Sequence, residues 1–176
     1  MRFAIAIAVG VLAAAVAGSA SARPAAACSA SKLSPAVPAQ NLPVPVAATR
    51  RRIAALAVRC DYAGLAKLAG TRFSFSFGGE RSAAAYWKQQ EARGGRPLAI
   101  LVKILKLPVT RNETGAYAWP TAYRAHPTRA DWDALVRVGV LTGKAADAMR
   151  KGGNVYYGYR TAITKSGRWQ FFIAGD

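Results

Sequence analysis

Few residues in this chain are of a type and spacing that could do chemistry. One histidine, His126, stands before Pro127 in a turn-like segment with no Ser or Cys nucleophile motif beside it. A nucleophile–base–orienter triad is therefore not supported. Eight carboxylates occur: Asp61, Glu80, Glu91, Glu113, Asp131, Asp133, Asp147 and Asp176. General acid–base work needs a carboxylate or tyrosine held inside a pocket. Asp61 and Asp131 read as helix caps, Glu91 as an exposed helix position, and Glu80 as an ion-pair partner for Arg81 or Arg160. No residue is assigned a catalytic role. With two cysteines out of Cys-x-x-Cys spacing and a single histidine, no metal site is expected either, and no cofactor fingerprint is present.

The aromatic residues are the better lead. Tyr117 and Trp119, Tyr157 and Tyr159, and Trp169 and Phe171 are each two apart, a spacing that places both members on one face of a strand. Tyr156, Arg160 and Phe172 then face the other way. Tyr and Trp combine apolar area with a polar tip. Tyr117, Trp119, Tyr157, Tyr159, Arg160 and Trp169 are thus the candidate ligand-binding residues, lining an aromatic pocket or groove with Arg160 at its rim. The competing reading makes the same aromatics core.

The elements that would position them follow from the chain in order. Arg2, the apolar run from Phe3 to Ala17 and the small residues Ala20-Ser21-Ala22 form a secretory leader over residues 1–22. The chain is therefore expected to be exported, periplasmic or secreted, with no transmembrane segment after leader removal. Residues 23–48 are rich in Ala, Pro and Ser and read as a flexible extended arm. Its one handle is Cys28. In an exported protein Cys28 and Cys60 can form a disulfide; lipidation at Cys28, after Ala25-Ala26-Ala27, is the alternative. Residues 49–176 then suit a single domain.

In that domain, Ile53, Leu56 and Ala57 mark the buried stripe of a first helix, running from about Ala47 to Arg59 with Arg50, Arg51 and Arg52 on its wet side. Asp61 caps a second helix. Thr71 to Gly79 alternates aromatic and polar residues as a half-buried strand does. A helix follows from Arg81 to Ala92, and another starts at Pro97. Gly115 to Arg124, with Tyr117, Trp119 and Tyr123 at even spacing, reads as a strand that Pro120 confines to an edge or a bulge. Thr128 and Asp131 resemble a capping box, and a further short helix ends at Gly152-Gly153. The chain closes on a hairpin, two aromatic runs flanking Lys165-Ser166-Gly167. Partly segregated helices and strands favour an α+β class, with N-terminal helices packed on a curved antiparallel sheet that ends in the C-terminal hairpin.

At this point the residues permit a comparison. Phe73-Ser74-Phe75-Ser76-Phe77-Gly78-Gly79, Tyr86-Trp87, Trp119-Pro120, Gly158-Tyr159-Arg160 and the Trp169–Asp176 ending resemble a family of small exported bacterial proteins, over roughly residues 50–176. That resemblance implies no activity. The layout is in turn similar to the nuclear transport factor two-like fold, in which helices cap a curved sheet and leave a cone-shaped pocket. This second resemblance implies an isomerase, a dehydratase or a pure binding module without choosing among them.

Charge narrows the partners. Lys and Arg number 25 against 8 Asp and Glu, a net +17, and such a surplus favours anionic partners. Nucleic acid fits the charge but not export, and no recognition motif for it appears. The expected function is a non-enzymatic binding protein for a small molecule or an anionic cell-envelope component. The alternatives are an enzyme of the cone-shaped fold, of isomerase or hydratase type, and a structural or chaperone-like envelope partner.

Overall fold

The computed structural model describes residues 28–78 and 82–175. The leader, Glu80 and Asp176 lie outside these residues. Four helices come first: α1 (Val44–Val58), α2 (Tyr62–Ala69), α3 (Ala83–Ala92) and α4 (Pro97–Leu105). Strands β1 (Thr110–Arg111) and β2 (Tyr117–Trp119) follow, then α5 (Arg129–Arg137) and α6 (Gly143–Lys151), and finally β3 (Arg160–Ile163) and β4 (Trp169–Ile173). The strands form one antiparallel sheet in the order β1-β2-β3-β4, an α+β architecture closed by the β3–β4 hairpin.

Local chemistry explains most boundaries. Asp61 Oδ1 accepts from the Gly64 amide at 2.7 Å and starts α2. Thr142 caps α6 in the same way. Asp131 accepts from the Thr128 amide and hydroxyl at 2.7 and 2.8 Å and so closes the start of α5. Burial pushes the Asp131 carboxyl upward, but hydrogen bonds from Arg124 and Thr128 and the charge of Arg124 outweigh it and hold the group below its ordinary value. Pro97 stands at the start of α4, where its missing N–H costs nothing.

Several expectations are corrected. The Thr71–Gly79 alternation does not build a strand: among its described residues only Ser74 pairs, in an isolated parallel bridge to Phe171. Phe73 packs on Trp169 at 4.6 Å and Phe75 on Tyr86 at 5.7 Å, so the alternation records packing against helices and hairpin rather than a ladder. β2 is not an edge strand, because β1 and β3 pair on either side of it. Pro120 is tolerated because it follows the last paired residue, Trp119, across a cis peptide bond.

The arm also departs from expectation. Residues 34–42 form no helix or strand, yet Ala30 is fully buried and joins the main core. Gln40 Nε2 donates to the Leu107 carbonyl at 2.8 Å. The helix begins at Val44, earlier than periodicity suggests, since Pro43 and Pro45 sit where proline suits a first turn. Cys28 and Cys60 are joined in a disulfide whose Cα atoms stand 5.9 Å apart and which spans 32 residues. Replacing both cysteines by serine is expected to lower stability by about 2–4 kcal/mol, because closing a loop of this length restricts the unfolded chain. The urea midpoint measures this. An unchanged midpoint would mean that the arm is held without the covalent bond.

Helices and sheet meet in one main core. Trp87, Trp119, Trp169 and Phe172 are fully or almost fully buried there among Leu98, Leu101, Ile104 and Ile53. A second cluster, around Trp132, Leu135 and Tyr156, joins α5 and α6 to the chain before β3. The outer sheet face is narrow: Ala116, Ala118 and Ala162 lie beside Phe171 and Ile173. Tyr123 folds over it, edge-on to Phe171 at 6.0 Å.

Candidate functional site

The six candidate ligand-binding residues do not converge on one pocket. Trp119 and Trp169 are wholly inside the core on the helix-covered face. Trp169 stacks on Trp87 at 5.9 Å and 24°, and its Nε1 donates to Thr161 Oγ1 at 2.7 Å. Tyr117 shares that face with Trp119, as the two-residue spacing predicts. Its hydroxyl accepts from Arg111 Nη2 at 2.6 Å, and the guanidinium lies 3.6 Å from its ring centre. Tyr159 stacks on Phe172 at 5.0 Å. Burial first, then the nearby Tyr86 and Glu91, push its hydroxyl up to about 12, so it stays protonated at neutral pH. The helix-covered face of the sheet is filled by Trp119, Trp169 and Phe172 packed against the helices.

The other two pairings fail for reasons of register. Tyr157 and Tyr159 precede β3, which starts at Arg160; Tyr157 is exposed and Tyr159 packs inward. Trp169 and Phe171 belong to opposite faces because the β3–β4 ladder carries a bulge. Ala162 pairs with Phe171 while its neighbour Ile163 pairs with Trp169. The extra residue reverses the side-chain alternation, so Trp169 joins Phe172 in the main core and Phe171 joins the outer face. Arg160 is not a rim residue. It is buried, its Nη1 donates to the Gly175 carbonyl at 2.6 Å, and its guanidinium lies 5.1 Å from the Tyr123 ring centre. It clamps the end of the chain to the start of β3.

Two charged residues that read as solvated are internal ties. Glu91 is buried rather than exposed. Its carboxylate accepts from the Ser29 amide at 2.9 Å, the Ser29 hydroxyl at 2.7 Å and the Leu98 amide at 3.0 Å. It thereby joins the arm to the first turn of α4. Arg50 is buried too. Its Nε donates to the Leu105 carbonyl at 2.9 Å, its Nη1 to the Pro38 carbonyl at 2.8 Å, and its guanidinium lies 5.4 Å from the Trp119 ring centre. Burial lowers its pKa to about 10, which still leaves it charged at neutral pH.

What remains open to a ligand is surface. A cleft of about 380 Å³ is bounded by Arg111, Asn112, Glu113, Tyr123, Arg124 and Val155. Arg124 is paired with Asp131, and Glu113 opposes Arg111 in sign, so the cleft itself is close to neutral. A different face is basic among the described residues. Thr49 Oγ1 donates to the Gly167 carbonyl at 2.7 Å, which brings the first half of α1 against the hairpin turn. Gly167 has φ +89°, and a Cβ there would lie 2.9 Å from Pro45, so this contact requires glycine. Arg52 is one turn along from Thr49 on the same side of α1. Arg168 Nη1 reaches the Arg72 carbonyl at 3.5 Å. Arg52, Arg72, Lys165 and Arg168 are exposed, and none of the segments 44–58, 71–78 and 164–168 contains Asp or Glu. Among the described residues three ion pairs form, and none involves these four cations. His126 is an exposed loop residue. Against known families, curated proteins and solved structures the chain has no match, so the reading of its surface stands on its own geometry.

Proposed function

We propose that this protein is an exported, non-catalytic binding protein for an anionic component of the cell envelope. The observation that carries the reading is the basic face formed by α1 and the hairpin turn, where Arg52, Arg72, Lys165 and Arg168 are exposed and, among the described residues, take part in no ion pair. Cations with no carboxylate partner attract anions at long range and are available to contact them. Export is supported by the leader-like residues 1–22 and by the Cys28–Cys60 bond, since disulfides persist in oxidising compartments. The small-molecule variant has less support, because the helix-covered face of the sheet is packed with tryptophan and phenylalanine.

The test is a salt titration of binding to phosphatidylglycerol vesicles and to soluble polyphosphate. Binding is expected to weaken steadily as salt rises. Reversing three charges together (Arg52→Glu, Lys165→Glu and Arg168→Glu) is expected to weaken it by about a hundredfold or more, since each lost cation is worth about 1 kcal/mol near an anionic surface and the new carboxylates add repulsion. The same reversals on α6, at Lys144, Arg150 and Lys151, should have less effect. Absence of salt-dependent binding to either anion would rule the reading out.

A further inference from the structure

We propose that the anionic component met by the basic face is the phospholipid leaflet of a membrane, with the outward side of α1 laid along it. This rests on the reading above that the face binds anions, and it names the source of the anion. The composition of the outward side carries it. At about 3.6 residues per turn, Val44, Ala48, Arg51, Arg52 and Arg59 fall within an arc of about 100° around the helix axis. All of them are exposed. The buried residues Val46, Arg50, Ile53, Leu56 and Ala57 occupy the opposite side. Val44 is the most exposed large apolar side chain among the described residues, at 80%, and Pro45 beside it is exposed too.

Here the cations stand next to the apolar tip. A Cβ on Gly167 would lie 2.9 Å from the Cβ and the carbonyl oxygen of Pro45. The hairpin turn therefore abuts the residue that follows Val44, and it brings the exposed Lys165 and Arg168 to the start of α1. Segments 44–58 and 164–168 contain no Asp or Glu. On its other side Arg51 borders a groove of about 230 Å³ whose lining includes Val37, Pro38, Ala39 and Leu42 of the arm, again with no acid.

A soluble polyanion would use the cations and gain nothing from Val44 and Pro45. A leaflet uses both. Valine enters the acyl boundary, while arginine lays its stem along apolar surface and keeps its guanidinium among the headgroup phosphates. Burying one valine is worth roughly ten- to a hundredfold in affinity, too little to hold the chain on neutral lipid. Attraction of the adjacent cations to a negative surface must supply the rest, which makes the contact selective for anionic leaflets. No helix of the described residues is long and apolar enough to cross a membrane; α1 lies in the interface.

The experiment uses the full chain, vesicles of phosphatidylcholine and phosphatidylglycerol in equal parts, vesicles of phosphatidylcholine alone, and soluble polyphosphate. One variant is Val44→Ser with Ala48→Ser, which leaves every charge in place; the other is Val44→Trp. Circular dichroism checks that both keep the fold. The parent chain is expected to prefer the anionic vesicles. The serine variant should bind them about tenfold more weakly and polyphosphate equally well. The tryptophan variant should bind them more tightly, with emission quenched by lipids brominated on the acyl chain. The native tryptophans Trp87, Trp119, Trp132 and Trp169 are buried and should not be quenched. Undiminished vesicle binding by the serine variant, or unquenched emission from Val44→Trp, would overturn the leaflet contact and leave the anion-binding reading standing. An equal loss on polyphosphate would also overturn it, since a soluble polyanion has no apolar phase to receive Val44. Failure of the parent chain to bind either anion would overturn both.

Discussion

Replacing Glu91 with alanine is expected to cost about 4 kcal/mol of stability, read as a fall in the urea midpoint. The carboxylate holds three donors, the Ser29 amide and hydroxyl and the Leu98 amide, and hydrogen bonds to a charged group contribute about 1.5–3 kcal/mol each. Alanine would leave those donors with no acceptor in a buried place, and unsatisfied buried donors dominate the cost. A negative charge at the first turn of α4 also meets the favourable end of the helix dipole. Glutamine should be intermediate, since its amide keeps one acceptor oxygen but presents a second donor to donors. Hydrogen exchange at Ser29 and Leu98 gives the local readout, and both amides should lose protection in the alanine variant while α5 and α6 keep theirs. A loss spread evenly over the chain would mean that Glu91 serves the whole fold rather than the junction of arm and α4.

Arg50→Ala is the second large effect, at about 3–5 kcal/mol, because it removes hydrogen bonds from a charged group to two carbonyls, at about 1.5–3 kcal/mol each. The guanidinium satisfies the Leu105 carbonyl in the last turn of α4 and the Pro38 carbonyl of the arm. It also fills the space beside Trp119. Arg50→Met separates the terms: methionine restores most of the volume but none of the donors, so it should recover only the packing part. Arg50→Lys should recover one carbonyl contact and lose the planar fork that serves two. If methionine proved as stable as arginine, the hydrogen bonds would be worth little and the residue would be a packing element.

These two residues also mark where sequence reasoning stopped. The helix caps were legible because a cap and its target are close along the chain: Asp61 reaches Gly64 and Asp131 reaches Thr128. Glu91 and Arg50 were not, because their partners are distant. Ser29 is 62 residues from Glu91, and Leu105 is 55 from Arg50. A charge on a helix reads as solvated unless something known packs over it, and the arm that covers both residues carries no periodic signal. For the candidate site the failure is one of register. A two-residue spacing assigns faces only within an unbroken strand, and the bulge between Ala162 and Ile163 separates Trp169 from Phe171.

The exposed Phe77 illustrates the same limit from the other side. Phe73, Phe75 and Phe77 form one pattern in sequence, yet Phe73 and Phe75 pack against aromatic neighbours while Phe77 is left outside. No local property distinguishes them. The difference is that helix α3 and the hairpin supply Trp87, Tyr86 and Trp169 to the first two.

The sequence alone left the state of Cys28 to the structure and determined the α+β class, the capped starts of α2 and α5 and the terminal hairpin. Each follows from composition or from interactions spanning a few residues. The tertiary structure decided that the proline-rich arm is docked, that Glu91 and Arg50 are internal ties, and that the aromatic side chains chosen as ligand contacts are mostly core. Those outcomes depend on which surfaces meet across many tens of residues, where burial changes a charge from a solvated group into an acceptor or donor that must be satisfied.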